Sequence, residues 1–368
     1  MRRFSDNWFI ALAVILVAAV GLAGCSAPAT TPDAVPAKPP SPPVNLTGAG
    51  ATFPAPLYTK WFDEYNKLTG VKVNYQPIGS GGGISQITEG TVDFGATDGI
   101  MSAEQTSKAE TKSGPILHIP MTSGAVAVIY NLEDIGQGQV MLTGDVLAGI
   151  YLKKITKWND PAIVALNPGL KFPDAAIAVV YRSDGSGTTY IFTNYLSKIN
   201  AEWKDKIGNA NSVKWIGDIG GEKSAGVAGQ VQKVPNSIGY VELAYAMQSK
   251  LAVAKIKNAA GNFIEPSLSA TTIAAEGVTL PDDMKVMLTN SSNPNAYPIV
   301  GLTWILAYVN QKDKVKGEAM VKMLWWAIHD GQKFTEALSY AGLAPSTVLK
   351  AESAVLSIKY QGQPLLSR

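Results

Sequence analysis

The chain is short of the residues that most often carry chemistry. Its 368 residues include one cysteine and two histidines. With Cys25 as the single thiol, an internal disulfide and a multi-cysteine metal site are excluded. His118 (LHIP) and His329 (AIHD) lie far apart and show no His-Glu-x-x-His spacing, so both read as structural. No glycine is followed directly by lysine, which excludes a nucleotide-binding P-loop. Charge is scarce as well: Lys plus Arg number 31 and Asp plus Glu 29, a formal balance of +2. Such a chain has no broad basic surface for nucleic acid, so any anion site must be local and built from aimed dipoles. At this length, with 46% hydrophobic residues, the chain can bury real cores and form two domains.

The first residues read as an export signal rather than part of a fold. Arg2 and Arg3 precede an apolar run from Trp8 to Leu22, which ends in Leu22-Ala23-Gly24-Cys25. A short positive region, an apolar stretch and small residues describe a cleaved signal over residues 1–24. The run is also short for a membrane span. Leu-Ala-Gly-Cys looks like a bacterial lipobox, which makes Cys25 the lipidated first residue of the mature protein. That leaves the mature domain without a free thiol nucleophile. Residues 25–44, rich in Pro, Ala, Ser and Thr, cannot bury a core and read as an extended tether. The expected location is the bacterial cell envelope, with the protein lipid-anchored at a membrane surface and facing the periplasm or exterior. The other reading of residues 1–24 is an uncleaved anchor.

From Asn45 onward, strand and helix patterns alternate. Val71, Val73 and Tyr75 alternate with polar residues, as in a strand. Leu57, Trp61, Tyr65 and Leu68 recur at helical spacing, as do Ile191, Tyr195 and Ile199. Alternating β and α units predict an α/β architecture. The stretch 258–295 is weakly patterned and reads as loop-rich. Strand-like segments near 125–130 and 299–309 are candidate crossings between two domains. The expected division is 45–122 plus 300–368 for one lobe and 123–299 for the other.

Three small-residue turns could cradle an oxyanion. The third is the most pointed: Tyr181-Arg182-Ser183-Asp184-Gly185-Ser186-Gly187-Thr188-Thr189 follows the strand-like run Ile177 to Val180 and opens a helix-like run. A strand, a Gly/Ser turn and a helix start present backbone N–H groups to an anion. Arg182 adds a planar charged fork. Ser186 and Thr188 add hydroxyls, and Gly187 allows close backbone approach. Asp184 either orients Arg182 or caps the next helix. The first turn, Gly48 to Pro56, offers the Thr52 hydroxyl and the Phe53 N–H, or is simply a capped helix start. The second, Gly79 to Ile84, has four glycines in five positions and the Ser80 hydroxyl, or is a flexible connection. A fourth element, Val92 to Gly99, ends a strand at Asp98. An ionised Asp can accept the proton that phosphate keeps at neutral pH, whereas sulfate has none to give, so one residue can discriminate between them. The alternative is an Asp cap of the following turn.

Together the stretches TGAGATFPAPLY, VNYQPIGSGGGI, VDFGATDG and AVVYRSDGSGTT resemble the phosphate-binding protein of bacterial phosphate ABC importers. Similar blocks continue as IYLKKITKWNDPAIVALNPGL and SIGYVELAYA, and the likeness runs in order over nearly all of 45–368. The resemblance implies a two-lobed periplasmic-binding-protein fold of type II, hinged around a ligand cleft. It implies a receptor that captures inorganic phosphate and delivers it to permease subunits, and through them to an ATPase, without catalysis, cofactor or metal. Its implied ligands are Thr52, Phe53, Ser80, Asp98, Arg182, Ser186, Gly187 and Thr188, with Asp184 supporting Arg182. The rival readings are a phosphatase or phosphotransferase, a binder of sulfate or molybdate, and an envelope adhesin or scaffold.

Overall fold

In the computed structural model, residues 44–367 are described. The expectations for the export signal 1–24, for Cys25 and for the tether as far as Pro43 lie outside them. The elements open with β1 (Asn45–Gly50), α1 (Ala55–Thr69), β2 (Lys72–Gln76), α2 (Ser80–Glu89), β3 (Phe94–Thr97), α3 (Ala103–Ser113) and the long β4 (Ile116–Asn131). Next come β5 (Met141–Leu142), α4 (Gly144–Tyr151), α5 (Pro161–Val164), β6 (Ala178–Arg182), α6 (Gly187–Ile199), α7 (Ala201–Lys206), β7 (Ile219–Gly221), α8 (Lys223–Lys233), β8 (Ser237–Glu242) and α9 (Leu243–Gln248). The rest are β9 (Ala252–Val253), β10 (Lys255–Lys257), β11 (Phe263–Ile264), α10 (Leu268–Glu276), β12 (Val300–Tyr308), α11 (Lys314–Ile328) and α12 (Pro345–Leu356).

The main sheet runs in the order β2-β1-β3-β12-β4-β8-β6-β7. β4 belongs to both halves of it. Its first part, Ile116 to Ala125, pairs antiparallel with β12, and its second part, Val126 to Asn131, pairs antiparallel with β8. At the change of partner, the Val126 N–H still bonds the Ile299 carbonyl at 2.8 Å. Of the two segments expected as crossings, 125–130 and 299–309, only the ends meet, at Ala125 and Val300 at the centre; the rest of the second lies along 116–124 and the rest of the first along β8. Outside this centre each half is parallel, β1 with β2 and β3 on one side and β6 with β8 and β7 on the other. Parallel strands need helical crossovers that cover both faces, and the buried pattern of β6, β8 and β12 fits that burial.

Pro120 sits inside β4, where a ring without an N–H cannot complete a ladder. The register shifts there: Thr303 pairs with Thr122 but Trp304 with Pro120, leaving Met121 as the extra residue. Such a bulge re-aims neighbouring side chains, and Thr303 beside it points its hydroxyl at Asp98.

Helix α1 buries Leu57, Trp61 and Tyr65 as expected. Leu68, assigned to the same stripe, is 68% exposed. It lies in the last turn before Gly70, whose left-handed φ of 76° ends the helix. The stretch 258–295 is largely irregular but contains β11 and α10. No described helix is long and apolar enough to cross a membrane.

Candidate anion site

The loops that leave β1, β2, β3 and β6 all emerge at carboxyl ends of parallel strands, where ligands of open α/β sheets bind. They bring the predicted residues of both half-sheets into one buried cluster. Phe53, Ser80 and Ser186 are fully buried, and Thr52, Asp98, Arg182 and Thr188 are at most 3% exposed.

Ser80 joins the halves. Its hydroxyl oxygen accepts from Gly187 N–H at 3.0 Å and from Asp98 N–H at 3.3 Å, and its O–H faces Asp98 Oδ2 at 3.4 Å. Asp98 Oδ1 accepts from the Thr303 hydroxyl at 2.7 Å. Burial pushes the Asp98 carboxyl up to about 7, against the opposing pull of the Thr303 hydrogen bond, the Arg182 charge and the Ser80 hydrogen bond. Arg182 donates from Nε to Asp184 Oδ1 at 2.8 Å and from Nη2 to Asp184 Oδ2 at 2.6 Å, a two-pronged grip that leaves Nη1 for other partners. Asp184 also accepts from the Lys223 N–H at 2.9 Å. Burial raises its pKa, but the bonds and charge of Arg182 with the Lys223 amide outweigh this and hold it below the usual carboxylate range.

The alternatives to a ligand role can be checked at each turn. Asp184 does not cap α6; Ser186 does, accepting from Thr189 N–H at 3.1 Å, which leaves the Ser186 O–H free to donate. Asp98 does not cap α3; Ser102 does, in a capping box with Gln105. Thr52 does not cap α1, whose N-cap is Pro54. Four described helices lack a bond from the side chain of their own N-cap residue: α1, α2, α8 and α12. The first three start at this cluster. Their positive dipole ends meet there with the start of α6, although Lys223 N–H at the start of α8 is taken by Asp184 and Gly81 N–H in α2 by the Gly185 carbonyl.

Two polar groups in the cluster lack partners among the described residues. The Thr188 hydroxyl is buried and unbonded. The Phe53 N–H has no acceptor, although Phe53 is fully buried. Buried donors are rarely left unpaired, so both point to an external acceptor.

The glycines of the second turn are required by contact. Gly79 has a φ of 92°, and a Cβ there would meet Asp184 Oδ2 at 2.5 Å. Gly81 and Gly185 touch backbone to backbone, with Gly81 N–H donating to the Gly185 carbonyl at 2.9 Å.

Sequence reasoning missed Ser224 and Thr303. Ser224, fully buried in the first turn of α8, lies with its hydroxyl 2.8 Å from Thr52 Oγ1 and 3.4 Å from Arg182 Nη1. Its only signal is a serine after Gly220-Gly221 at a helix start. Thr303 is the one aliphatic hydroxyl in the run VGLTWILAY. His118 is buried between strands, and His329 bonds Glu352 at 2.8 Å, both away from the cluster. Among the described residues, no group of three or more His, Cys, Asp or Glu could hold a metal ion.

The profile of the PBP superfamily domain matches residues 36–322. The chain is 43% identical over 312 residues to the phosphate-binding protein PstS of Xylella fastidiosa (strain Temecula1), covering 84% of each. It is 44% identical over 311 residues to the PstS of Pasteurella multocida, covering 84% of this chain and 89% of that one. Among solved structures, the phosphate-binding protein of Stenotrophomonas maltophilia matches with a TM-score of 0.66 at 20% identity, over 85% and 94% of the two chains. At that identity the likeness speaks for the fold, the α/β two-lobed periplasmic-binding-protein fold expected from the sequence. With relatives this similar over this much of its length, the chain belongs to the PstS family of phosphate-binding proteins within the PBP superfamily.

Proposed function

We propose that this protein is an extracytoplasmic receptor that captures inorganic phosphate and hands it to an ABC-type importer, without chemistry of its own. The observation that carries the reading is the pairing of converging donors with one buried acceptor: helix starts, the Arg182 fork and orphaned N–H and O–H groups face a site that also holds Asp98. Phosphate is an anion that can also donate a hydrogen bond, and a fully ionised oxyanion is not. Thr52, Ser80, Ser186 and Thr188 supply hydroxyls, Phe53 supplies its N–H, Gly187 supplies the N–H that rests on Ser80 in this structure, and Arg182 supplies the charge-assisted fork, held by Asp184. Together they replace the water shell of the ion.

The lobes are 45–122 plus 300–368 and 123–299, a division supported by the change of partner along β4. Closure of the two lobes buries the ion and presents the loaded state to permease subunits. Residues 1–24 serve as the export signal and Cys25 as the lipidated anchor on a tether ending at residue 44. That part rests on sequence alone.

Titration calorimetry of the chain from Asn45 onward, with phosphate beside sulfate at neutral pH, tests the reading. The expected result is tight phosphate binding and no sulfate heat. No phosphate binding, or an equal response to both ions, overturns it.

The raised carboxyl of Asp98 has a consequence for folding. An acid with a higher pKa folded than unfolded holds its proton longer in the folded chain. Its stabilising contribution is full below the unfolded value, near 3.8, and is lost as pH rises through about 7. Glu242, fully buried and raised well above its ordinary range by burial, acts in the same direction. Denaturant unfolding in phosphate-free buffer from pH 4.5 to pH 8 reads these two acids against buried His118, which burial depresses to about 3 and which adds stability as pH rises. The Asp98 share is a fall of about 3 kcal/mol over that range. Asp98→Asn should lose that fall, so that its stability gains on the parent's towards pH 8; an unchanged difference across the range would remove Asp98 as the source.

A further inference from the structure

The turn that carries Thr52 and Phe53 is gripped by two phenols from distant parts of the chain. Tyr245, in α9, donates its O–H to the Thr52 carbonyl at 2.7 Å across 193 residues. Tyr340 donates to the Phe53 carbonyl at 2.7 Å across 287 residues. The Thr52 carbonyl and the Phe53 N–H belong to one planar trans peptide, so fixing the direction of the carbonyl fixes the opposite direction of the N–H. A carbonyl that accepts a hydrogen bond also polarises its amide and makes the N–H a stronger donor. That N–H is the buried donor left without an acceptor among the described residues.

We propose that Tyr245 is a positioning residue of the anion site, aiming and strengthening the Phe53 N–H through the Thr52 carbonyl, with Tyr340 bracing the next peptide of the same turn.

Hydrogen counting strengthens the brace. Tyr340 OH lies 2.7 Å from the Phe53 carbonyl and 3.1 Å from Glu242 Oε2. A phenol has one hydrogen and the carbonyl can only accept, so that hydrogen goes to Phe53. The hydrogen between Tyr340 and Glu242 then belongs to the carboxyl group. Glu242 Oε2 meanwhile accepts from the Ala244 N–H at 2.7 Å, which ties α9 to the same network. The relay Glu242 to Tyr340 to Phe53 therefore runs in one direction and leaves no oxygen facing another without a hydrogen between them. The Tyr245 bond reaches from the helix after β8, in one half of the sheet, to the loop after β1, in the other. Aim of the donor and apposition of the halves are therefore coupled in one contact.

This inference rests on the phosphate reading, and the test separates the two. Protein labelled with ¹⁵N-phenylalanine is titrated with inorganic phosphate, with affinity read by calorimetry and the Phe53 amide proton by NMR. In the natural sequence the Phe53 proton should move downfield on binding. In Tyr245→Phe, affinity should fall about 3- to 10-fold, the scale of one neutral hydrogen bond. The bound Phe53 proton should also lie upfield of its natural position, while the thermal midpoint stays close to the parent's. Tyr245 is only partly buried, so the variant is expected to fold. A merely structural tyrosine would alter stability and leave the Phe53 resonance in place. Unchanged affinity and an unchanged Phe53 shift in folded Tyr245→Phe would overturn the inference while leaving phosphate binding intact. Absence of phosphate binding by the natural sequence would overturn both.

Discussion

Arg182→Ala is expected to weaken phosphate binding by about 2–4 kcal/mol, the scale for losing one partner of a buried charge-assisted contact. The argument begins with burial. The Arg182 side chain is 1% exposed, so its charge cannot be replaced by bulk water or salt at no cost. Two bonds to Asp184 fix the plane of the guanidinium, leaving it pre-organised rather than searching for the ion. Alanine also strands Asp184, whose carboxylate would keep backbone amides such as the Lys223 N–H but would lie close to an anion without its counter-charge. Arg182→Lys should recover part of the loss, since it restores the charge but not the fork. Calorimetry gives the affinity, and a thermal melt of the unliganded variant separates lost binding from lost folding. Full affinity in folded Arg182→Ala would take Arg182 out of the site.

Asp98→Asn is expected to relax the preference for phosphate over sulfate by about 10- to 100-fold, through a gain for sulfate rather than a loss for phosphate. In the proposed reading, ionised Asp98 accepts the phosphate proton but faces a sulfate oxygen as charge against charge. Asparagine turns that face into a donor. With the carboxyl pushed up to about 7, the natural protein should behave in part like the variant when acidified. Protonated Asp98 is itself a donor, so discrimination against sulfate should fall as pH drops below about 7. In Asp98→Asn that pH dependence should disappear. Competition calorimetry at pH 5.5 and pH 8 measures both effects. If the variant rejects sulfate as strongly as the parent, Asp98 is not the reader of the proton.

The parts legible in the sequence were those set by local rules. β6 and the start of α6 follow from a β-branched run, a Gly/Ser turn and a helical stripe within a dozen residues, so Arg182, Ser186 and Thr188 could be placed in advance. The strand-like segments near 125–130 and 299–309 fall within or beside the long strands β4 and β12. What could not be read depends on separation along the chain. Thr303 meets Asp98 across 205 positions, and Ser224 meets Thr52 across 172. Neither residue has a neighbour that betrays the encounter. Glu242 sat in a stretch quoted for its family likeness, but a glutamate at the end of a strand gives no hint that it will be buried beneath Tyr340. Leu68 shows the limit of spacing alone: it is helical as expected, but the last turn of α1 runs past the core and leaves it exposed.

The seam where the halves of the molecule touch has a bearing on time as well as affinity. Gly81 and Gly185 meet as bare main chain, with no rotamer on either side to swing away. A side-chain gate can leak by flicking on the nanosecond scale, whereas two opposed backbones part only when whole bodies move, a microsecond-to-millisecond event. How long a captured ion stays is then governed by a collective motion. That is the one property a receptor must trade against speed, because cargo held too briefly escapes and cargo held too long is never delivered.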